Sequence, residues 1–133
     1  IQNVEFIGHK DDVERYYAAF DGFLLPSNIE GTPISIVEAM TVGMPIFVTA
    51  VGEIPFNYSH INGVEFLSKS VCDDARMISE YDYEKFDTSD MKRYVHENND
   101  VIKNREKFFS LLSTATSMSR PGADTYVMEG EYI

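Results

Sequence analysis

The sequence predicts an α/β fold, a parallel sheet with flanking helices followed by a helical C-terminal segment. Three observations predict it. Apolar strand-like runs alternate with amphipathic helical stretches from Val4 to Leu67. The connections between them are short and marked by Gly or Pro, as in units joined by right-handed crossovers. The runs FLLP and PIFV lack polar–apolar alternation, which fits strands buried on both faces.

Val4 to Ile7 reads as a short strand that stops at Gly8. The stretch DDVERYYAAF opens with acidic residues, and Val13, Tyr16, Tyr17 and Phe20 repeat at helical spacing. Those three aromatics are expected in the core. Phe23 to Pro26 is the second strand, and SNIEGT is a loop. A helix is expected from Pro33 to about Val42, stopped by Gly43. Met44-Pro45 turns the chain into a strand at Ile46 to Thr49. Gly52 opens a loop through Pro55, and Gly63 precedes a last strand, Val64 to Leu67. Beyond it, residues 70–80 read as a helix and 81–90 as an acidic loop. From Thr88 to about Leu112 the pattern is helical with a break near Asn98-Asn99, and Ser89 or Asp90 could cap its start. Residues 1–112 therefore read as one partial domain and 113–133 as an irregular tail, rich in Ser, Thr and Gly.

Size and composition narrow the function. The chain has 133 residues, 44% hydrophobic and 13% aromatic, enough for one globular core without staples. Its first residue is Ile1 rather than Met, so it is expected to be a piece of a longer protein. The single Cys72 cannot form an internal disulfide and reads as a small buried hydrophobe. No run is apolar enough to span a membrane, and no basic segment opens a signal peptide. A cytoplasmic location is expected, with the inner face of the membrane open to the full-length protein. The net charge of −11 counts against nucleic acid as a partner. Residues 1–68 hold only Lys10 and Arg15 against nine acidic residues. A phosphate site there must lean on backbone N–H groups or on residues outside this chain.

The segment SNIEGTPISIVEAM carries the most chemistry. Pro33 suits the first helical position, and Thr32 before it is pushed to the extended geometry of an N-cap. Gly31 admits a ligand to the backbone without a β-carbon in the way. A helix N-terminus at a strand-end cleft is a ready anion site. Two carboxylates frame it. Glu30 lies in the loop before the helix, and Glu38 in the second turn among Ile34, Ile36, Val37, Ala39 and Met40. Read from the residues alone, Glu38 is first a solvent-facing helix glutamate and Glu30 a structural loop glutamate. If Glu38 is buried it needs a partner, and a ribose diol is one. The loops at 8–10, 27–32 and 50–56 should share the carboxyl edge of the sheet.

Four features of this stretch belong together: the FIG strand end, DDVERYYAAFDGFLLPS, EGTPISIVEAM with its Glu-x7-Glu spacing, and GMPIFVTAVGEIP. In this order and at this spacing they resemble the C-terminal domain of the group 1 glycosyltransferases, family 4, of the GT-B fold. The resemblance implies a Rossmann-like, nucleotide-sugar-binding domain and a retaining transfer of a sugar from a UDP-, GDP- or ADP-sugar. It implies that Glu30 contacts the donor sugar and organises the transfer. Backbone N–H groups from Gly31, Thr32, Ile34 and Ser35, around Pro33, would hold the sugar and distal phosphate. Glu38 would hold the ribose, and Ile7, Gly8 and His9 would lie along the base. No bound metal or other cofactor is implied. The acceptor would be held mainly by an N-terminal domain absent here, and the basic pair that grips the diphosphate would lie upstream of Ile1. One loop departs from the family's pattern, since Glu53 replaces a second glycine and Phe56 follows Pro55.

Other polar residues carry less. His9, His60 and His96 lack metal-ligand spacing. Ser27 and Asn28 are loop polars close to the site. Lys92, Arg93, Lys103, Arg105 and Lys107 are expected on solvated helix faces. Polysaccharide or glycoconjugate synthesis is the family's usual setting. The alternative is a non-catalytic nucleotide-sugar-binding module or an inactive fragment, and the isolated piece is expected to be inactive in either case. A flavodoxin-like or receiver domain is disfavoured, because no acidic cluster for Mg²⁺ follows the first strand in the expected way.

Overall fold

The computed structural model describes residues 4–83 and 85–118. The chain divides after Asn99 into two compact units. In the first, α1 (Val13–Tyr17), β1 (Phe23–Leu25), α2 (Ile34–Val42), β2 (Ile46–Thr49), α3 (Ile54–Tyr58) and β3 (Val64–Leu67) alternate. They are followed by α4 (Val71–Ser79) and α5 (Ser89–Asn98). The strands form a parallel sheet of order β1-β2-β3, with Phe23 beside Ile46 and Ile46 beside Val64. This is the expected α/β architecture.

The core lies where α2 and α3 cover the central strand. In α2, Ile36, Ala39 and Met40 are fully buried at the spacing of one helix face. Ile46 and Val48 of β2 pack with them, along with Ile54 and Tyr58 of α3 and Met91 of α5. Each such aliphatic side chain contributes roughly 1.5–3 kcal/mol by leaving water. Phe47 is also buried, and its ring meets Tyr81 edge-on at 5.3 Å. Tyr81 in turn contacts Tyr83 and Phe86. The stretch read as an acidic loop thus supplies aromatic cover for β2, which explains why that strand needs no polar positions.

Several expectations are corrected. Val4–Ile7 forms no strand: Phe6 is 90% exposed, and these residues have no neighbouring strand to pair with among the described residues. Helix α1 stops at Tyr17, so Tyr17 is buried, Tyr16 half-buried and Phe20 half-exposed. Leu24 is also half-exposed, since only one face of β1 is covered. Helix α2 starts one residue late: Pro33 holds the cap position with φ −70° and ψ 119°, and no side chain caps the helix. Proline's fixed φ serves a cap as well as a first turn. The loop after Gly52 becomes α3, with Pro55 near its start, where a missing N–H costs little. At α5 the cap is Thr88, while Ser89 is already helical and bonds the Asp87 carboxylate. Cys72 is exposed, because α4 begins on the surface and buries no residue fully.

Other expectations stand. Gly43 ends α2 in the left-handed region, φ 82°, and its N–H bonds the Ala39 carbonyl. Lys92 and Arg93 are solvent-exposed on α5. The second unit holds α6 (Val101–Met118), which begins after the break at Asn99. Lys103, Arg105 and Lys107 are exposed on it, as are Phe108, Phe109 and Leu111. The helix carries Ser113 to Met118, where an irregular tail was expected, and the rest of that tail lies outside the described residues.

Candidate functional site

Because the three strands are parallel, the segments after β1, β2 and β3 emerge on one edge. The segment after β1 carries Glu30, which is half-buried. One contact from the end of β2 and one from the segment after it meet this segment. The Thr49 hydroxyl donates to the Ser27 carbonyl. Gly52, with φ 56°, lies so close that a β-carbon there would stand 1.9 Å from the Glu30 carbonyl oxygen. That approach is open only to glycine, both for its φ and for its missing side chain. The backbone at Glu30 is thus set by β2 as much as by its own loop.

The N-terminus of α2 follows directly. Ile36 N–H bonds the Pro33 carbonyl, so the N–H groups of Ile34 and Ser35 are left without a partner inside the helix. Gly31, Thr32 and Ile34 are exposed, and Ser35 is half-buried. A β-carbon on Gly31 would meet no heavy atom within 4 Å, and its φ is not in the left-handed region. The fold itself does not demand a glycine there, in contrast to Gly52.

Glu38 is exposed, as a solvent-facing helix glutamate would be, so the condition of a buried carboxylate does not arise. It still has a partner: the Tyr17 hydroxyl donates to Glu38 Oε2 at 3.3 Å. Burial, and next the Glu38 charge and hydrogen bond, hold the Tyr17 phenol above its usual range. Both side chains line a cavity of about 180 Å³ with Val13 and Thr41. Across α1, Tyr17 and Val13 also line a larger cavity of about 450 Å³ with Ile7, Gly8 and His9. His9 is exposed and lies 3.3 Å from Asp11. The structure therefore joins Ile7, Gly8 and His9 to Glu38 through the Tyr17 ring. It sets Glu30 apart, on the segment bearing Ser27 and Asn28. Among the described residues, no three His, Cys, Asp or Glu side chains group as metal ligands.

Sequence reasoning missed three positions. Tyr17 was read as core only, although it also serves Glu38, and no spacing rule links residues on two different helices. Thr49 and Gly52 were read as a strand end and a loop opener, yet Thr49 holds the Ser27 carbonyl and Gly52 abuts the Glu30 carbonyl. Gly52 gave some signal, since an isolated glycine after a buried strand often marks a close backbone approach.

A comparison with protein families matches residues 1–79 to the family described as glycosyl transferases group 1. The chain belongs to the group 1 glycosyltransferases. Two curated relatives agree. An uncharacterized glycosyltransferase of Haemophilus influenzae is 43% identical over 44 residues, covering 33% of this chain and 12% of that protein. The amylovoran biosynthesis glycosyltransferase AmsK of Erwinia amylovora is 35% identical over 65 residues, covering 43% of this chain and 16% of that protein. The chain thus aligns with under a fifth of either relative's length. The matched residues include the whole parallel sheet, the Glu30 segment and α2.

Proposed function

We propose that this chain is the donor-binding part of a retaining glycosyltransferase. The full-length enzyme would move a hexose from a nucleoside-diphosphate sugar to an acceptor in polysaccharide or glycoconjugate synthesis. The observation that carries the reading is the uncapped N-terminus of α2, placed beside a glutamate whose carbonyl abuts Gly52, on a segment held at Ser27 by Thr49. An uncapped helix start presents N–H donors and a positive dipole end, which suit a phosphate. The open space at Gly31 suits a ligand lying on the backbone.

In this reading Glu30 accepts hydrogen bonds from the donor sugar and helps the sugar bear positive charge as the bond to phosphate breaks. The N–H groups from Gly31 to Ser35 hold the distal phosphate. Glu38, kept in place by Tyr17, takes the ribose hydroxyls, and Ile7 to His9 flank the base. No resident metal is needed, because the helix start and basic residues of the full-length protein carry the diphosphate charge. The acceptor is held mainly by a second domain, and a membrane contact belongs to the full-length protein. The AmsK name supports polysaccharide synthesis as the setting.

The test uses the full-length enzyme with uridine, guanosine and adenosine diphosphate sugars. Glu30→Gln should lower kcat by about a hundredfold or more, the scale of losing a transition-state contact of ~3 kcal/mol. Glu38→Ala should chiefly raise donor KM, by about tenfold or more. Wild-type kinetics from both variants would sink the assignment.

A further inference from the structure

A further cavity, of about 410 Å³, lies between α3 and α5 and shares no lining residue with those around Tyr17. Phe56 and Asn57 of α3 form one wall, with His60 and Ile61 in the turn that leads to β3. Asp90, Arg93, Tyr94 and Glu97 form the other, at the spacing of one face of α5. Helix α3 starts after the carboxyl end of β2, and the chain then returns to the amino end of β3. His60 and Ile61 therefore stand towards the sheet edge opposite the Glu30 segment. None of the residues proposed for the donor lines this cavity, and its size suits a small-molecule site.

The lining combines aromatic rings with polar groups. Phe56 is 86% exposed, while α3 buries its other face through Ile54 and Tyr58. A single exposed phenyl means little by itself. This one rims a cavity that holds two more rings, and it is one of the two departures from the family's loop pattern. The Tyr94 ring stands edge-on to the buried Tyr58 ring at 5.5 Å, with the His60 ring 6.2 Å away. Tyr94 is thus an anchored aromatic surface facing a free one.

The polar groups carry both signs. Arg93 Nη2 donates to Asp90 Oδ1 at 2.6 Å, so that pair is neutral overall and keeps further guanidinium N–H donors. Glu97 has no hydrogen-bond or ion-pair partner among the described residues and offers a bare acceptor. The Asn57 amide donates and accepts. A phosphate or carboxylate ligand would meet Asp90 and Glu97. A diamine or a basic peptide would meet Arg93 between those two carboxylates. An apolar chain would strip water from Asn57, Arg93 and Glu97 and return no hydrogen bond. A neutral glycan avoids all three conflicts. Its hydroxyls donate and accept, and its ring C–H faces pack on aromatic surfaces.

We propose that this groove is a glycan-holding site outside the reaction cleft. Phe56 and Tyr94 take the faces of neutral sugar residues of the polymer, and Asn57, Arg93 and Glu97 take their hydroxyls. It rests on the polysaccharide reading above. A chain anchored there stays with the enzyme between transfers, which raises its effective concentration at the cleft.

The test uses the full-length enzyme with Phe56→Ala, Phe56→Tyr and Glu97→Ala. Both side chains are exposed, so the changes spare the fold, and unchanged melting temperatures check that. The probes are neutral glucan, galactan and mannan hexasaccharides, followed by saturation-transfer NMR with uridine or guanosine diphosphate present. At least one hexasaccharide should bind. Phe56→Ala and Glu97→Ala should each weaken it by roughly tenfold, and Phe56→Tyr should keep it. Donor KM, and kcat with the shortest acceptor used, should stay at wild-type values. Absence of binding by every hexasaccharide overturns the proposal. So does binding that both alanine variants leave unchanged, since the glycan then sits elsewhere, and so does a rise in donor KM in these variants. Failure of the polysaccharide reading looks different: the product then carries a single added sugar and no polymer, while the hexasaccharide losses stand.

Discussion

Gly52 decides the geometry of Glu30 more directly than any residue in the Glu30 loop. Its φ of 56° is disfavoured for other residues by roughly 1–2 kcal/mol, and an added β-carbon meets the Glu30 carbonyl at 1.9 Å. Backbone cannot swing aside as a long side chain can, so the loop has to move. Gly52→Ala should therefore cost about 2–3 kcal/mol in urea unfolding of the full-length protein. It should also lower kcat at least tenfold with Glu30 itself intact, because a displacement near 1 Å can cost a hundredfold in rate. Thr49→Ser, which keeps the hydroxyl that holds the Ser27 carbonyl, should leave kcat within about twofold. Loss of stability with unchanged kcat in the Gly52 variant would separate this glycine from the site. At Gly31 the reasoning runs the other way. No protein atom lies near its missing side chain, so an alanine there should fold normally and be read only through its ligand.

Helix α1 shows how much of an element is decided outside its own sequence. Five residues cannot hold a helix alone, since nucleation is unfavourable and short helices are marginal in water. Tyr17 supplies the tie: its ring lies 5.8 Å from that of Phe23, and its hydroxyl reaches Glu38 on α2. Tyr17→Phe keeps the packing and removes the hydrogen bond, so it should cost about 0.5–1 kcal/mol at pH 7. The pH dependence has a definite sign. Burial first, then Glu38, raises the folded-state pKa of Tyr17 above its unfolded value near ~10. Its contribution is complete below that value and is lost as pH rises through the folded-state value. The stability gap between wild type and Tyr17→Phe, read by circular dichroism in urea, should narrow from pH 7 to 11. A constant gap would mean that the phenol is not held as described. The same element marks the limit of sequence reasoning. The apolar periodicity of Val13, Tyr16, Tyr17 and Phe20 reports a helix face, but not whether another element covers that face. Strands β2 and β3 were legible to the residue because Gly and Pro mark their ends and their apolar runs pair with each other in the sheet. Val4–Ile7 was misread because four apolar-rich residues look like a strand whether or not a partner edge lies beside them. At the candidate site, the helix start and both glutamates could be read locally. The clamps from Thr49 and Gly52 and the tie to Tyr17 could not, being contacts across 22, 22 and 21 residues of sequence.

At the scale of the whole chain, the electrostatics and the site pull in opposite directions. The 133 residues carry a net charge of −11. Within residues 16–68, which hold the sheet and the α2 N-terminus, there is no Lys or Arg at all. Glu30, Glu38 and Glu53 stand on or beside the proposed donor path. The four Arg and Lys ion pairs seen among the described residues are surface pairs, which contribute little, and none involves these glutamates. In the proposed donor site, what would attract a diphosphate is short-ranged: the N–H groups at the start of α2 and the dipole behind them, whose effect fades within a turn. What repels it is the summed field of the acidic chain, which reaches about 10 Å at 0.1 M salt and about 30 Å at 0.01 M. Salt therefore removes the repulsion before it removes the contact. Binding of uridine or guanosine diphosphate to this 133-residue chain, followed by NMR titration, should be weak, and it should strengthen from 10 to 150 mM NaCl. Most phosphate sites built on Lys and Arg do the reverse. The full-length enzyme, if its basic residues complete the diphosphate grip, should show that ordinary fall with salt. Weakening with salt in the short chain would mean that cations already present, Lys69 first among them, reach the diphosphate. The division of labour proposed for α2 and the missing basic residues would then be wrong.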